Sequence, residues 1–202
     1  MSKRDAEQHL SHIYDHVARN EVYRGYRSVP VAITGLMAFL AAALQPLLIG
    51  SPAPSTFLLY WTIVAIVSIS MTGVPVYLRY RRADTRIEHR RTEKTVGQLL
   101  PAIIAGALLT FSMYRAAPAS THLLPGLWSI LFGLGLYASR PFLPASTKWV
   151  ALFYLAAGVV LIWYAPHLQF SPWGMGFTFG AGQLTSAFVL HSNMERDHDE
   201  RS

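Results

Sequence analysis

The chain has 202 residues, of which 52% are hydrophobic and 14% charged, and its formal net charge is +6. Soluble globular domains contain about 25% charged residues, so this composition indicates a membrane protein. The sequence holds no cysteine, which excludes disulfides, thiolate nucleophiles, iron–sulfur clusters and cysteine zinc sites.

Residues 1–28 are predicted to form a cytoplasmic amphipathic leader helix. Apolar residues recur there at steps of three and four, namely Leu10, Ile13, Tyr14 and Val17. Another face carries three histidines, His9, His12 and His16, whose side chains could bind a metal. A solvated face is the favoured interpretation. Because nearly thirty mostly polar residues precede the first apolar run, a cleavable signal peptide is not expected.

Six apolar runs follow the leader, and each is near the roughly 17 to 25 residues that a helix needs to cross a bilayer. They cover about residues 30–50, 56–78, 95–114, 123–139, 148–164 and 172–191. The sequence therefore predicts an all-α integral membrane bundle of six transmembrane helices in residues 29–192. A cytoplasmic polar tail, residues 193–202, completes the predicted organisation.

The segment between the second and third runs orients the whole chain. It holds seven of the seventeen Lys and Arg residues: Arg79, Arg81, Arg82, Arg86, Arg90, Arg91 and Lys94. If the six runs cross the membrane alternately, sixteen of the seventeen lie on one side, and Arg115 alone lies on the other. The positive-inside rule then places this segment and both termini in the cytoplasm.

The same basic segment is the first candidate for a functional surface. Each basic residue near a leaflet attracts anionic lipid by about 1 kcal/mol. This attraction and the role of basic residues in setting membrane topology are enough to account for the positive charge of the segment. Docking of an acidic cytoplasmic protein partner is the alternative. Nucleic acid is disfavoured as a partner, because the distribution of positive charge follows the membrane topology.

Three polar side chains are expected on the outer face, and they form the second candidate site. Arg115, His122 and His167 lie near the predicted outer ends of the third, fourth and fifth runs. Together they could form an anion, haem-edge or metal site, which would suit a redox protein. Interfacial anchoring at lipid headgroups is the simpler interpretation.

Polar residues within the runs give a third candidate site. No Asp, Glu or Lys lies deep in any run, which counts against an ion-coupled transporter. Gln45, Gln98 and Gln183 are first interpreted as donors and acceptors of interhelical hydrogen bonds. Alternatively, Gln98 and Gln183, with the glycines of the sixth run, line an uncharged pathway of a small-solute permease or channel subunit. The glycines meant are Gly176 and Gly180.

Small residues four apart predict where helices approach closely. Ser129 and Gly133 show this spacing in the fourth run, as do Gly176 with Gly180 and Gly182 with Ser186 in the sixth. Packing within the chain is favoured, and a homo-oligomer would use the same surfaces. Four tryptophans, Trp61, Trp128, Trp163 and Trp173, are expected at the outer lipid boundary as an aromatic belt.

The sequence names no catalytic residue and no cofactor. It lacks a Gly-rich phosphate loop, a metalloprotease histidine–glutamate motif and a nucleophile elbow. A non-enzymatic membrane module that docks anionic lipid or a partner through its basic face is therefore the favoured function.

Three stretches together carry a family resemblance: residues 10–35, the LWSILFGLGLYAS within residues 126–139, and the GMGFTFGAGQLTSAFVLHSNMER within residues 173–196. With them the chain resembles a group of small bacterial multi-span membrane proteins of unassigned activity. Those proteins have a short amphipathic leader, a basic loop after the second span and a Gly-rich closing span. The resemblance implies location in the bacterial plasma membrane and supplies no catalytic residues.

Overall fold

A computed structural model describes residues 28–50, 53–82, 86–168 and 170–199, with the backbone alone for residues 86–88, 91 and 193–199. Within these ranges the fold is all-helical, with six α-helices and no strand. The helices are α1 Ser28–Ile49, α2 Pro54–Arg82, α3 Arg86–Ala116, α4 Leu124–Ala138, α5 Thr147–Leu168 and α6 Pro172–Asp199. Two short 3₁₀ helices, Pro118–Leu123 and Arg140–Phe142, precede α4 and α5. The predicted leader, residues 1–27, lies outside the described residues.

Each helix overlaps one of the six predicted apolar runs, and α2, α3 and α6 extend beyond theirs. Helix α1 begins at Ser28, and Pro30 lies in its first turn. A proline is tolerated there because the backbone nitrogens of the first turn have no hydrogen-bond partner within the helix. It ends at Ile49, after which Gly50 adopts a left-handed φ of 59°. The Gly50 N–H donates to the Pro46 carbonyl at 3.2 Å, a usual glycine stop for a helix. Helix α6 continues into the predicted tail as far as Asp199.

Five helical segments in the described part of the chain are long and apolar enough to cross a membrane, as expected of a multi-pass membrane protein. They are Ser28–Ile49, Pro54–Arg82, Thr92–Ala116, Pro118–Ala138 and Thr147–Leu168. Helix α6 is not among them. Its glycines, with Gln183 and several hydroxyl residues, lower its hydropathy.

The six helices form a closed ring in chain order. Each helix contacts the next, and α6 returns to contact α1. The most extensive contacts join α1 to α6 and α4 to α5. Helix α2 reaches the core only through its first turns, where Phe57, Leu58 and Trp61 are buried.

The α1–α6 pair is built on small residues. Gly176 lies against the Ala42 side chain, and Gly180 lies against the Phe39 ring and close to Gly35. Farther along the pair, Val31 packs with Ala187 and Leu190. The two helices are therefore antiparallel neighbours from Gly176 to Leu190. The prediction that Gly176 and Gly180 allow close helix approach is confirmed.

The α4–α5 pair is equally close. A Cβ on Gly126 would lie 2.7 Å from the Gly158 carbonyl oxygen, and a Cβ on Gly158 would lie 2.7 Å from the Gly126 carbonyl oxygen. Ser129 donates to the Tyr154 carbonyl at 2.7 Å. A Cβ on Gly133 would lie 3.0 Å from the Ala151 carbonyl oxygen. The small residues predicted in this run therefore pack against α5, within the same chain.

One end of the ring is held by a buried glutamine. Gln45, which is 1% exposed, accepts a hydrogen bond from the Trp61 indole N–H at 2.8 Å and donates to the Phe170 carbonyl at 3.2 Å. These bonds join α1, α2 and the connection before α6. The interhelical role predicted for Gln45 is confirmed. Trp61 does not belong to the lipid belt, however, because it is 2% exposed, whereas Trp163 and Trp173 are exposed.

Candidate functional site

The end of the ring opposite Gln45 carries the basic segment and is called the basic end below. Helices α2 and α3 have 29 and 31 residues, about 43 and 46 Å at 1.5 Å per residue. The hydrocarbon core of a bilayer is about 30 Å thick. The other ends of α2 and α3 lie at the short connections to α1 and α4. The length of each helix in excess of the bilayer thickness therefore lies at the basic end.

Seven basic side chains at this end are exposed: Arg79, Arg81, Arg82, Arg90, Lys94, Arg140 and Lys148. They belong to the final turns of α2, the first turns of α3, the connection between α4 and α5, and the first turn of α5. The side chains of Arg86 and Arg91 lie outside the description. The predicted docking residues thus lie on the helices α2 and α3.

Contacts between α2 and α3 hold the basic segment together. The Tyr80 hydroxyl donates to a Glu93 carboxylate oxygen at 2.8 Å. The Tyr80 ring also meets the His89 ring edge to face, with centroids 4.5 Å apart. These contacts join the end of α2 to the start of α3, so that the cations on both helices belong to one surface.

Aromatic rings lie beside the cations of the α4–α5 connection and of the first turn of α5. The Arg140 guanidinium lies 4.7 Å from the Tyr137 ring centroid and donates to the Tyr137 hydroxyl at 3.2 Å. Lys148 lies 5.1 Å from the exposed Trp149 ring. Lysine and arginine beside exposed tyrosine and tryptophan are typical of the membrane–water boundary. The arrangement suits contact with lipid headgroups.

A small cavity lies between α3, α4, α5 and α6, near the basic end. Its volume is about 40 Å³. Apolar side chains make most of its wall, among them Phe132, Leu136 and Val150. The polar groups at the wall are Thr95, Ser139, Thr147, Gln183 and Ser186. Ser139 donates to the Gly135 carbonyl at 2.9 Å and approaches the Thr95 carbonyl at 3.4 Å, which joins α4 to α3 beside the cavity.

The structure separates the four residues that were predicted to line one cavity. Gln183 lines the cavity described here. Gln98 is exposed on α3, and Gly176 and Gly180 are buried against α1. The sequence offered one signal for the other polar residues of the wall: Thr95, Ser139 and Thr147 all stand at the ends of apolar runs, on the same predicted side of the membrane.

The second predicted site lies at the end opposite the basic end. The 3₁₀ helix that carries His122 contacts both α3, which ends beyond Arg115, and α5, which ends beyond His167. The His122 Nδ1 lies 2.8 Å from the Ala119 carbonyl oxygen, while Arg115 and His167 are exposed. Among the described residues, no group of three or more His, Cys, Asp and Glu side chains is placed to hold a metal ion.

Comparison with models of protein families, with curated proteins and with solved structures finds no match to this chain.

Proposed function

We propose that the chain is a six-span protein of the bacterial plasma membrane, with both termini in the cytoplasm. The resemblance to small bacterial multi-span proteins supports the location, and the positive-inside rule supports the orientation. Helix α6 is proposed as the sixth span because it runs antiparallel beside α1 from Gly176, at Ala42, to Leu190, at Val31. Its low hydropathy reflects small and polar residues, several of which face neighbouring helices rather than lipid.

The topology predicts a pattern of cysteine labelling. Because the chain contains no cysteine of its own, any label must be on the introduced residue. Single cysteines replace Ala53, Ala145, His167 or Ser202, and intact cells are treated with a membrane-impermeant maleimide. Ala53→Cys and His167→Cys should react in intact cells, whereas Ala145→Cys and Ser202→Cys should react only after permeabilisation. Labelling of Ser202→Cys in intact cells would leave five spans and contradict the role given to α6.

The function that we propose is docking of anionic lipid at the basic end by a non-enzymatic membrane module. The observation that carries it is the set of exposed Lys and Arg side chains on α2, α3 and the α4–α5 connection, with Tyr and Trp rings beside them. Each such cation near an anionic leaflet contributes about 1 kcal/mol. Because Tyr80 and Glu93 tie α2 to α3, the cations meet the headgroups as one surface.

Lipid preference in purified protein tests this function. Native protein is reconstituted in nanodiscs of equal parts phosphatidylglycerol and phosphatidylcholine, extracted mildly, and its retained lipids are measured by mass spectrometry. Native protein should retain mainly phosphatidylglycerol. A variant with Arg79, Arg81, Arg82, Arg90 and Lys94 changed to Gln should retain both lipids in nearly equal amounts. The matched control Arg115→Gln, at the other end, should behave as native.

High salt gives an independent check, since about 1 M salt reduces the screening length to about 3 Å. The preference for phosphatidylglycerol should therefore fall when lipids are exchanged at high salt. A native protein that shows no preference would contradict lipid docking and leave an acidic protein partner as the use of this surface. A preference that survives the five substitutions would show that other residues carry it.

A second candidate function is a small-solute permease or channel subunit, which the cavity beside Gln183 favours. A volume of about 40 Å³ is far below the roughly 150 Å³ that holds a benzene-sized ligand. In this conformation the cavity admits molecules of the size of water. Flux of water and of small neutral solutes into proteoliposomes tests this candidate, with Gln183→Leu as the variant that should lower the flux.

A further inference from the structure

We infer that the cavity between α3, α4, α5 and α6 is an internal hydration site, which holds a small cluster of ordered water bound by Thr147, Gln183 and Ser186. This inference does not depend on lipid docking or on solute transport. It rests on polar groups at the cavity wall for which the described part of the chain supplies no hydrogen-bond partner.

The three side chains lie at the cavity wall on two helices. Thr147 is the first residue of α5, and Gln183 and Ser186 are three residues apart on α6. Residues with this spacing lie on one face of a helix, so both α6 side chains reach the same space. Within the part of the chain that the structure describes, none of these three side chains donates a hydrogen bond to another group or accepts one from it.

Burial raises the free-energy cost of a missing hydrogen-bond partner. Thr147 is 6% exposed, and Gln183 and Ser186 are half-buried. Desolvating a hydroxyl or amide without a hydrogen bond is unfavourable, and the penalty holds in a membrane, where lipid offers no hydrogen bond. Native structures rarely leave such groups unsatisfied. A ligand that both donates and accepts hydrogen bonds is therefore expected in the space that these groups share.

The volume of the cavity indicates that this ligand is water. One water needs about 10 to 15 Å³ in the same measure, so about 40 Å³ holds roughly three. A buried water also needs two to four polar partners. Thr147, Gln183 and Ser186 supply these on one side, and Ser139 stands at the same wall. The cluster would bridge α5 to α6.

Hydroxyl-radical footprinting tests whether the cavity is wet. X-ray irradiation splits water molecules into hydroxyl radicals at the position of each water, including water inside the protein. A side chain beside internal water is therefore oxidised even when it is shielded from the bulk solvent. Val150 lines the cavity and Val31 lies in the α1–α6 contact, and both are 1% exposed. In native protein Val150 should be oxidised many times faster than Val31. Equal rates would overturn the hydration site.

A substitution distinguishes bound water from an empty cavity by the sign of its effect. If the Thr147 hydroxyl binds water, Thr147→Val removes a ligand of the cluster, and Tm should fall by about 2–4 °C. In a dry cavity the same change removes an unsatisfied hydroxyl, and Tm should rise. Thr185→Val, at an exposed position of α6, controls for the change of side-chain type. A rise in Tm with Thr147→Val but not with Thr185→Val would contradict water binding at Thr147.

Discussion

Replacing Gly158 with leucine is expected to prevent assembly of the bundle, and replacing it with alanine is expected to destabilise the bundle measurably. A Cβ at this position would lie 2.7 Å from the Gly126 carbonyl oxygen and 2.6 Å from the Ile130 side chain. The oxygen belongs to the α4 backbone and cannot move alone, so the two helices must separate. Overpacking of this kind costs about 1–3 kcal/mol for a small addition, and leucine adds three further carbons.

The chain provides a matched control for this prediction. Gly73 on α2 and Gly97 on α3 lie in helices as Gly158 does, but a Cβ at either position would meet no atom within 4 Å. Alanine at these two positions should leave stability unchanged or raise it slightly, because alanine favours the helix by up to about 1 kcal/mol.

Unfolding of purified variants in mixed micelles, followed by circular dichroism and by size-exclusion chromatography, measures the effect. Gly158→Ala should lower the midpoint, and Gly158→Leu should give little monodisperse protein. If Gly158→Ala were as stable as Gly97→Ala, the reciprocal contact between Gly126 and Gly158 would not hold α4 against α5.

The apolar runs predict the helices well because crossing a bilayer demands a length and a composition that are both visible in the sequence. The same criterion missed the length of α2 and α3. Charged residues such as Arg79 and Lys94 end an apolar run, but they do not end a helix, and α2 and α3 continue through them. The basic residues therefore lie between the apolar runs but on the helices, as the helical composition of this segment indicates.

Which face of a membrane helix turns inward is harder to predict. In a soluble helix the polar face reveals the orientation, but in a lipid-exposed helix both faces are apolar. Trp61 was accordingly expected at the lipid boundary and is buried, while Gln98 is exposed and Gln183 lines the cavity. The proximity of the indole to Gln45 could have been suspected from their similar predicted depths, near the outer ends of two adjacent runs.

Pairing between helices distant in sequence was also not predictable. The spacing of Gly176 and Gly180 indicates a close contact but does not identify the partner, which turns out to be α1, at the other end of the chain. This contact closes the ring. It also fixes the position of α6, which is not among the five segments that are long and apolar enough to cross a membrane.

Replacing Gln45 with leucine is expected to loosen the end of the ring where α1, α2 and the connection before α6 meet. The change removes two hydrogen bonds, to the Trp61 indole N–H and to the Phe170 carbonyl. Interhelical hydrogen bonds in membrane proteins contribute about 0.6 kcal/mol on average and up to about 1.7. The cost should be higher here, about 1–3 kcal/mol, because the indole N–H of the buried Trp61 is left without a partner.

A double-mutant cycle separates this hydrogen bond from the packing of the two side chains. Trp61→Phe removes the indole N–H, so that Gln45→Leu should cost less in the Trp61→Phe background than in native protein. Gln98→Leu, which changes an exposed glutamine of α3, should leave the unfolding midpoint near that of native protein. Native tryptophan fluorescence reports the result locally, because Trp61 should become more mobile and solvated. If the cost of Gln45→Leu were the same in both backgrounds, the glutamine would act through packing alone, and the junction would be held by the apolar contacts of Phe57 and Leu124.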